Sequence, residues 1–420
     1  MKSSILSPLR HRPYRMLFSA QVFSDMGNWF DFIALEALII YHWGLGAGAL
    51  AAFAFCTGLP WALVSPLVSV WVDRLPKKAL MIGCNLIRIP LIVGFIFAPN
   101  LFVLLPIVFL KEVLDVAFDP ARQAAMRFIL PKELLYRANA LSQLSLQGSK
   151  ILAPTLGAIV VAAYNPQAAF IIEVVGFSIS TLFLLGLPSL KVEKSSPSSE
   201  KSGYWEELKE GFQCFANRPI LRFAIVMVTT GMFMIWLVDK LIILWSKDVG
   251  FGISQFGYIT SSIGAGSVIG ALAVSRWSNR IQNPLLLMSF AGIGAGVLDL
   301  VIGSGGIGFF TFPLVAWMGI WFFIGFVAPF FSIPYAFILQ TETPPDLLGR
   351  VTGTANAFQN STMLIAPFLG ASLAKGIGVG GVFITSGFGL ALASLLAILI
   401  IKKKNLLPRS PVQEDQQASI

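Results

Sequence analysis

The sequence contains few charged residues and very little cysteine or histidine. Only 12% of its 420 residues are charged, whereas soluble domains usually carry about 25%. Cys56, Cys84 and Cys214 lie far apart and show neither a metal-ligand spacing nor a disulfide framework. The two histidines, His11 and His42, form no metal-binding cluster. These shortages exclude an ordinary soluble domain, a disulfide scaffold and a histidine-based metal site.

The chain also lacks the motifs of ATP hydrolysis and of enzymatic catalysis. No Gly-x-x-x-x-Gly-Lys-[Ser/Thr] phosphate-binding loop is present. No pairing of a nucleophile with a base is visible in the sequence either. We therefore predict that the protein is not an enzyme and needs no cofactor, and that it draws energy from a gradient or a partner.

What the sequence does have is a succession of long apolar runs. Apolar residues make up 56% of the chain, and the charges cluster between runs of roughly 20 residues, the length that spans a bilayer core. Each run must be a helix, because lipid offers no hydrogen bonds to open backbone groups. We predict twelve spans, at residues 16–42, 48–72, 79–98, 101–122, 134–163, 167–188, 220–246, 254–276, 284–303, 309–333, 351–374 and 379–401.

Lysine and arginine are strongly biased to one side of these spans. Twenty-four of them lie in the termini and the even-numbered loops, and only Lys247 and Lys375 lie in the other loops. By the positive-inside rule, both termini are cytoplasmic in a bacterial inner membrane. This orientation explains the net charge of +9 better than a nucleic-acid partner does.

The chain repeats itself in two halves joined by a polar segment. PKELLYR at 131–137 matches PPDLLGR at 344–350, and Ala-Pro-x-x-Gly-Ala at 153–158 matches 366–371, both at an offset of 213 residues. The predicted domains are an N-terminal six-helix bundle (1–188), a linker with an amphipathic helix (189–218), a second bundle (219–402) and a tail (403–420). Two such halves are typical of secondary transporters, with the substrate between the halves.

Three stretches carry a resemblance to the major facilitator superfamily. SPLVSVWVDRLPKK (65–78) resembles the superfamily's loop 2–3 signature, with both glycines replaced. FDPARQAAMRFILPKELLYRANAL (118–141) is similar to a bacterial branch that contains enterobactin-type siderophore exporters and macrolide efflux proteins. SDMGNWFDFIAL (24–35) matches the first helix of that branch less well, since Asn28 stands where the branch tends to have aspartate. The resemblance implies an all-α fold and an exporter that exchanges substrate for protons.

The predicted fourth helix carries five charges on one face. With Lys111 at 0° and about 100° per residue, Arg122, Asp115, Asp119 and Glu112 fall within about 100° of it. The i,i+4 spacing of Lys111 and Asp115, and the i,i+3 spacing of Asp119 and Arg122, let both pairs bond. Because each charge in a span costs roughly 3 kcal/mol on insertion scales, we expect this face to point at a cavity or the partner half.

The two ends of this face are expected to differ in role. The predicted cytoplasmic gate comprises Asp73, Arg74, Asp119 and Arg122. Such ion pairs hold an inner mouth shut and break on reorientation, although a static clamp is the alternative. Lys111, Glu112 and Asp115 lie near mid-depth, where they form either a proton or substrate site or a neutralised ion-pair knot.

Helices 1 and 6 supply the other candidates for proton coupling. Helix 1 carries Gln21, Asp25, Asn28 and Glu36 on one stripe, with Asp31 beside it. A buried carboxylate without a cation favours its protonated form, so Asp25 and Asp31 are the leading proton carriers. Glu173, alone in an apolar helix, has the same potential; the alternative is a hydrogen-bonded helix contact. The predicted coupling and substrate residues are Asp25, Asn28, Asp31, Glu36, Lys111, Glu112, Asp115 and Glu173.

The second half is expected to contribute less to coupling. Its mid-span charges are only Asp239, Lys240 and Asp299. Its glycines at 261–270 and 291–296 have the spacing that permits close helix contacts.

The leading functional hypothesis is a proton-coupled exporter of small amphipathic molecules, such as siderophores, macrolides or other drugs. It is expected to act as a monomer in contact with membrane lipids. The alternatives are a lysophospholipid flippase, a ferroportin-type metal exporter, and a receptor or assembly factor without transport. Asn28 and the scarcity of histidine argue against the metal exporter.

Overall fold

The residues whose structure is described are mostly helical. The computed structural model describes residues 6–64, 75–188, 210, 212–277, 283–344 and 347–404, and no strand occurs among them. The chain divides into two compact units. The first comprises 1–198 with 246–261, and the second comprises 199–245 with 262–420. The predicted division into bundles 1–188 and 219–402 stays a prediction, and the linker from 189 to 209 lies outside the described residues.

Six long helices form the N-terminal part of the chain. They are α1 (Arg12–Ala37), α2 (Ala47–Leu59), α3 (Lys77–Phe97), α4 (Leu101–Ile129), α5 (Lys132–Ala163) and α6 (Pro166–Leu185). Two of them end in a widened, π-helical turn: α1 continues into Leu38–His42 and α2 into Pro60–Val64. Single π-helical turns are rare and often lie at functional sites.

The C-terminal part repeats this helical pattern. Its helices are α7 (Pro219–Val238), α8 (Ile242–Asp248), α9 (Ile253–Trp277), α10 (Pro284–Gly306), α11 (Leu314–Thr341) and α12 (Leu348–Lys404). A 3₁₀ turn at Asp239–Leu241 connects α7 to α8. Gly378, with φ of 74°, interrupts α12. This left-handed backbone conformation favours glycine, and it divides α12 into two helices that can each cross a membrane.

The positions of the helix starts follow from the local sequence. Asn100 and Asn165 each accept a hydrogen bond from a backbone N–H in the first turn of the helix that follows. Asn283 does the same at α10. Proline occupies the first turn after Asn165 and Asn283, where its missing N–H costs nothing.

The observed helices account for the twelve predicted crossings. Nine segments of the described chain are long and apolar enough to span a bilayer, α12 counting once although it holds two helices. Helices α1 and α4 are not among these nine segments. Both exceed 25 residues, but their charged and polar residues make them less apolar than the nine.

Three predicted boundaries were wrong, and one of them is the end of the tenth helix, which lies at Thr341 rather than 333. The fourth helix extends to Ile129 rather than 122, because its polar last turns continue the helix. The tenth begins at Leu314 rather than 309, because Gly308 has a positive φ and Pro313 caps the helix.

The first unit is built around α1. Ser180 of α6 donates a hydrogen bond to the Ala20 carbonyl at 2.9 Å. A Cβ added to Gly27 would lie 3.3 Å from Cγ of Glu173 and 3.4 Å from the Phe177 ring. The absence of a side chain at Gly27 therefore lets α6 approach α1 closely and brings Glu173 towards the centre of the unit.

Candidate functional site

Charged side chains from four helices meet inside the first unit, and we call this group the central cluster. It consists of Asp31 of α1, Arg88 of α3, Lys111, Glu112 and Asp115 of α4, and Glu173 of α6. Its members are buried to different extents: Arg88 and Glu173 are 0% exposed, whereas the Glu112 side chain is 18% exposed. The charged face of α4 therefore packs against neighbouring helices of its own unit.

Lys111 is the centre of this cluster. Its Nζ lies 2.8 Å from Asp31, 3.3 Å from Asp115 and 3.7 Å from Glu112. The predicted bond within α4 between Lys111 and Asp115 forms, and a shorter one reaches across to α1. A single buried ammonium group thus neutralises carboxylates from two helices.

Arg88 is the second cation, and it binds Asp115. One guanidinium nitrogen lies 2.6 Å from Oδ1 of Asp115, and another donates to Asn85 at 3.2 Å. Asn28 also donates to Asp115, over 3.4 Å. Asp115 therefore forms ion pairs with Arg88 and Lys111 and accepts a hydrogen bond from Asn28.

Glu173 has a different environment from Asp115. As a carboxylate it would have no donor for either oxygen among the described residues, yet it lies within hydrogen-bonding reach of the Asp31 carboxyl. Two carboxyls can bond only when one of them holds a proton. A hydrogen bond between Asp31 and Glu173 would therefore require a proton on one of the two carboxyls.

Glu112 lies at the accessible edge of the cluster. Its carboxylate accepts a hydrogen bond of 3.0 Å from the indole N–H of Trp61. Trp61 is 40% exposed and belongs to the π-helical turn that ends α2. This edge connects the buried charges to the surface of the first unit.

Asp25 belongs to a separate polar group formed by α1, α4 and α5. It accepts hydrogen bonds from Ser145 at 2.6 Å and from Gln21 at 3.1 Å. Gln21 in turn accepts from Arg122 and from Ser142, both at 2.9 Å. Asp25 and Asp31, predicted together as proton carriers, thus have different partners: hydroxyl and amide donors for Asp25, a cation and a carboxyl for Asp31.

The residues of the predicted gate are only partly described. Asp119 and Arg122 form the predicted pair at 2.6 Å, and Arg122 also contacts Gln21 of α1. Asp73 and Arg74 lie outside the described residues. Glu36, another predicted member of the site, is buried in α1 at 3% exposure.

The second unit contains fewer buried ionisable groups in its described part. Asp299 of α10 is 8% exposed, with Ser386 of α12 at 3.4 Å from its carboxylate. Lys240 is buried and lies 3.7 Å from Asp239. The charge asymmetry expected from the sequence is therefore present in the structure.

Sequence reasoning missed Arg88. It lies within an apolar run and is as costly there as any charge on α4, so the same rule identifies it. The sequence does not show that its partner is Asp115, because the two residues lie on different helices. Within the described chain, no group of three or more His, Cys, Asp or Glu side chains is arranged to hold a metal ion.

Comparison with known proteins identifies relatives that are transporters. The protein is 25% identical over 394 residues to the uncharacterized MFS-type transporter YfiS of Bacillus subtilis, covering 91% of this chain and 92% of YfiS. It is 28% identical over 344 residues to macrolide efflux protein A of Streptococcus pyogenes, covering 78% and 81%. It is also 26% identical over 306 residues to the enterobactin exporter EntS of Salmonella typhi, covering 70% and 68%.

Solved structures share the fold at low sequence identity. The nucleoside transporter NupG superimposes with a TM-score of 0.75 at 14% identity, covering 93% of this chain and 99% of that one. A POT family transporter in complex with 5-aminolevulinic acid superimposes with a TM-score of 0.72, also at 14% identity, covering 93% and 96%. The sequence model of the Major Facilitator Superfamily matches residues 17–367 and 241–419. This multi-pass membrane protein with twelve spanning helices therefore belongs to the Major Facilitator Superfamily.

Proposed function

We propose that this transporter is a proton-coupled exporter of small amphipathic molecules that works by alternating access from the bacterial inner membrane, with both termini in the cytoplasm. The observation that carries the proposal is the charge composition of the central cluster. Among the described residues it combines four carboxyls with two cations. A buried site with that composition has a physical reason to bind protons.

The reason is the cost of burying net charge. Fully ionised, the cluster would hold two uncompensated negative charges, and desolvation of each ion costs several kcal/mol. Binding of protons removes this penalty, whereas contact with water reduces it. A change between closed and water-filled states therefore drives proton uptake and release.

Asp31 and Glu173 are the proposed proton carriers. In this proposal the two carboxyls share one proton, and Lys111, whose Nζ lies 2.8 Å from Asp31, stabilises Asp31 when it is ionised. Withdrawal of Lys111 from Asp31 during reorientation would strengthen the hold of the pair on a proton. Asp25 is the second candidate for a proton carrier, because Ser145 and Gln21 can donate hydrogen bonds to its ionised form.

Relatives support the substrate class and the direction. Macrolide efflux protein A and the enterobactin exporter EntS are named for the export of amphipathic molecules, and we extend this property to the present chain. Trp61, which is exposed beside Glu112, offers an aromatic surface on which such a molecule can pack.

Transport into proteoliposomes under an imposed pH gradient tests the proposal. The panel contains a macrolide, a catecholate siderophore and an amphipathic dye, each measured with and without the gradient. We expect gradient-dependent uptake of at least one compound, and Asp31→Asn should reduce it by at least about tenfold. Asp248→Asn is the matched control, since this residue is exposed at the end of α8. Uptake that ignores both the gradient and Asp31→Asn would refute proton coupling through the cluster.

A further inference from the structure

Arg88 is fully buried, like Glu173, and it is the most buried cation of the central cluster. Its guanidinium group is 0% exposed and lies between two aromatic rings, 4.7 Å from the centre of Phe118 and 5.3 Å from that of Phe177. Cation–π contacts of this kind strengthen when water is excluded. The two rings and Asn85 at 3.2 Å hold the guanidinium plane in place.

A guanidinium in this position constrains its partner carboxyl. Arginine does not lose its proton in proteins, so a buried Arg88 requires a permanent counter-ion. The nearest carboxylate oxygen is Oδ1 of Asp115, at 2.6 Å. Lys111 at 3.3 Å and Asn28 at 3.4 Å also contact Asp115, whereas neither carboxyl oxygen of Glu173 has a hydrogen-bond donor among the described residues.

We propose that Arg88 is a positioning residue that keeps Asp115 ionised and stationary, and so restricts proton binding in the central cluster to the carboxyls that Arg88 does not contact. Asp115 is then a fixed electrostatic support for Lys111 and carries no proton. The part that Asp115 plays in the transport cycle rests on the proposed function. The proposal that Asp115 stays ionised does not depend on it.

Charged and titratable groups surround Arg88 and Asp115 from each neighbouring helix. They are Asp31 of α1, Cys84 of α3, Lys111 and Glu112 of α4, and Glu173 of α6. Only Lys111 among them is a cation. Without Arg88, Asp115 would face three carboxyls with one ammonium group, which disfavours its ionised form.

Infrared spectroscopy of the purified protein in lipid nanodiscs tests the proposal through the carbonyl band of protonated carboxyls. Near neutral pH, Glu173→Gln should weaken this band. Arg88→Met should add intensity to it, and the double variant Arg88→Met/Asp115→Asn should lack the addition. Arg88→Lys, which retains the cation, should add none.

Arg122→Met is the matched control for the charge deletion. Its partner Asp119 is 40% exposed, so water can solvate its charge after the deletion and the band should not grow. Added intensity that persists in Arg88→Met/Asp115→Asn would overturn the proposal, because the added proton would then not be on Asp115. Unchanged intensity in a folded Arg88→Met would overturn it as well.

The pH dependence of transport tests whether Arg88 restricts proton binding during the transport cycle. Arg88→Met should move the pH of half-maximal gradient-driven transport upward by about one unit, and the double variant should restore the original value. A profile that stays in place in Arg88→Met would show that Arg88 does not restrict the site of proton binding. If the unaltered protein shows no gradient-driven transport, the proposed function fails, while the infrared result still decides the role of Arg88.

Discussion

The two units achieve close helix packing by different means. In the first unit, α1, α3, α4 and α6 meet through the ion pairs of the central cluster. In the second, α10 and α12 meet through glycine: a Cβ at Gly296 would lie 2.6 Å from the Gly387 carbonyl oxygen, and one at Gly303 equally close to the Gly380 oxygen. Glycine contacts leave no room for rearrangement, whereas charges can exchange partners. One chain therefore contains a unit whose central helices meet through charges and a unit whose α10 and α12 meet through glycine.

Removal of Lys111 should produce the largest loss of stability. Lys111→Met leaves Asp31 and Asp115 with one cation fewer in a dry interior, and breaking such a pair costs about 3–5 kcal/mol. Thermal unfolding in detergent should show this, with partial recovery in Lys111→Met/Asp31→Asn.

Lys150→Met is the control for this change, because Lys150 is exposed and only stacks on Trp29 at 5.4 Å. Equal destabilisation by Lys111→Met and Lys150→Met would show that the cluster does not hold the first unit together.

Neutralisation of one acid in each unit tests whether coupling belongs to the first. Glu173→Gln should reduce gradient-driven transport by at least about tenfold with little change in stability, because an amide mimics the protonated acid. Asp299→Asn, the same type of change in the second unit, should retain most of the transport.

The reverse pattern, with coupling lost in Asp299→Asn and kept in Glu173→Gln, would assign proton binding to the second unit. Both variants are measured in the same proteoliposomes, with and without the pH gradient.

A methyl group at the α10–α12 contact tests the rigidity of the second unit. Gly296→Ala should destabilise the protein by about 1–3 kcal/mol, because the added carbon overlaps the backbone of α12. Gly294→Ala is the control, since its Cβ would be 3.9 Å from Val327 and fit without overlap. Thermal unfolding that does not separate the two variants would contradict a rigid contact.

The smallest effect is expected at Gly27 in the first unit. Its added Cβ would lie 3.3 Å from Cγ of Glu173, and the better helix propensity of alanine, about 1 kcal/mol, offsets the crowding. Gly27→Ala should leave stability nearly unchanged but displace Glu173 from Asp31 and so alter the pH profile of transport. Gly148→Ala, where the Cβ meets nothing within 4 Å, should raise stability by about 1 kcal/mol and leave the pH profile unchanged.

The charged face of α4 shows what the helical period alone can predict. A period of 3.6 residues placed Lys111, Asp115, Asp119 and Arg122 on one face, and both predicted pairs form. The expected glycine contacts are also confirmed: Gly266 and Gly270 of α9 contact the backbone of α11. These are local properties, since spacing along one helix defines which side chains lie together.

Partners on other helices did not follow from spacing. Asp25 and Asp31 are less than two turns apart on α1, yet one bonds with Ser145 and the other with Lys111. The partner of Arg88 did not follow from the sequence for the same reason, because nothing near Arg88 in the sequence indicates a counter-charge. Which charges meet depends on how the helices are rotated and spaced, and Gly27 decides that distance for α6.

The sequence by itself determined that this protein crosses a membrane twelve times, because runs of about 20 apolar residues have no other stable arrangement than helices in lipid. It also determined that the first half holds most of the buried charge. Only the tertiary structure decided that Arg88 binds Asp115, that Lys111 joins α4 to α1, and that Glu173 reaches Asp31. Ion pairs between helices depend on distances of a few ångströms, and packing of the helices alone defines those distances.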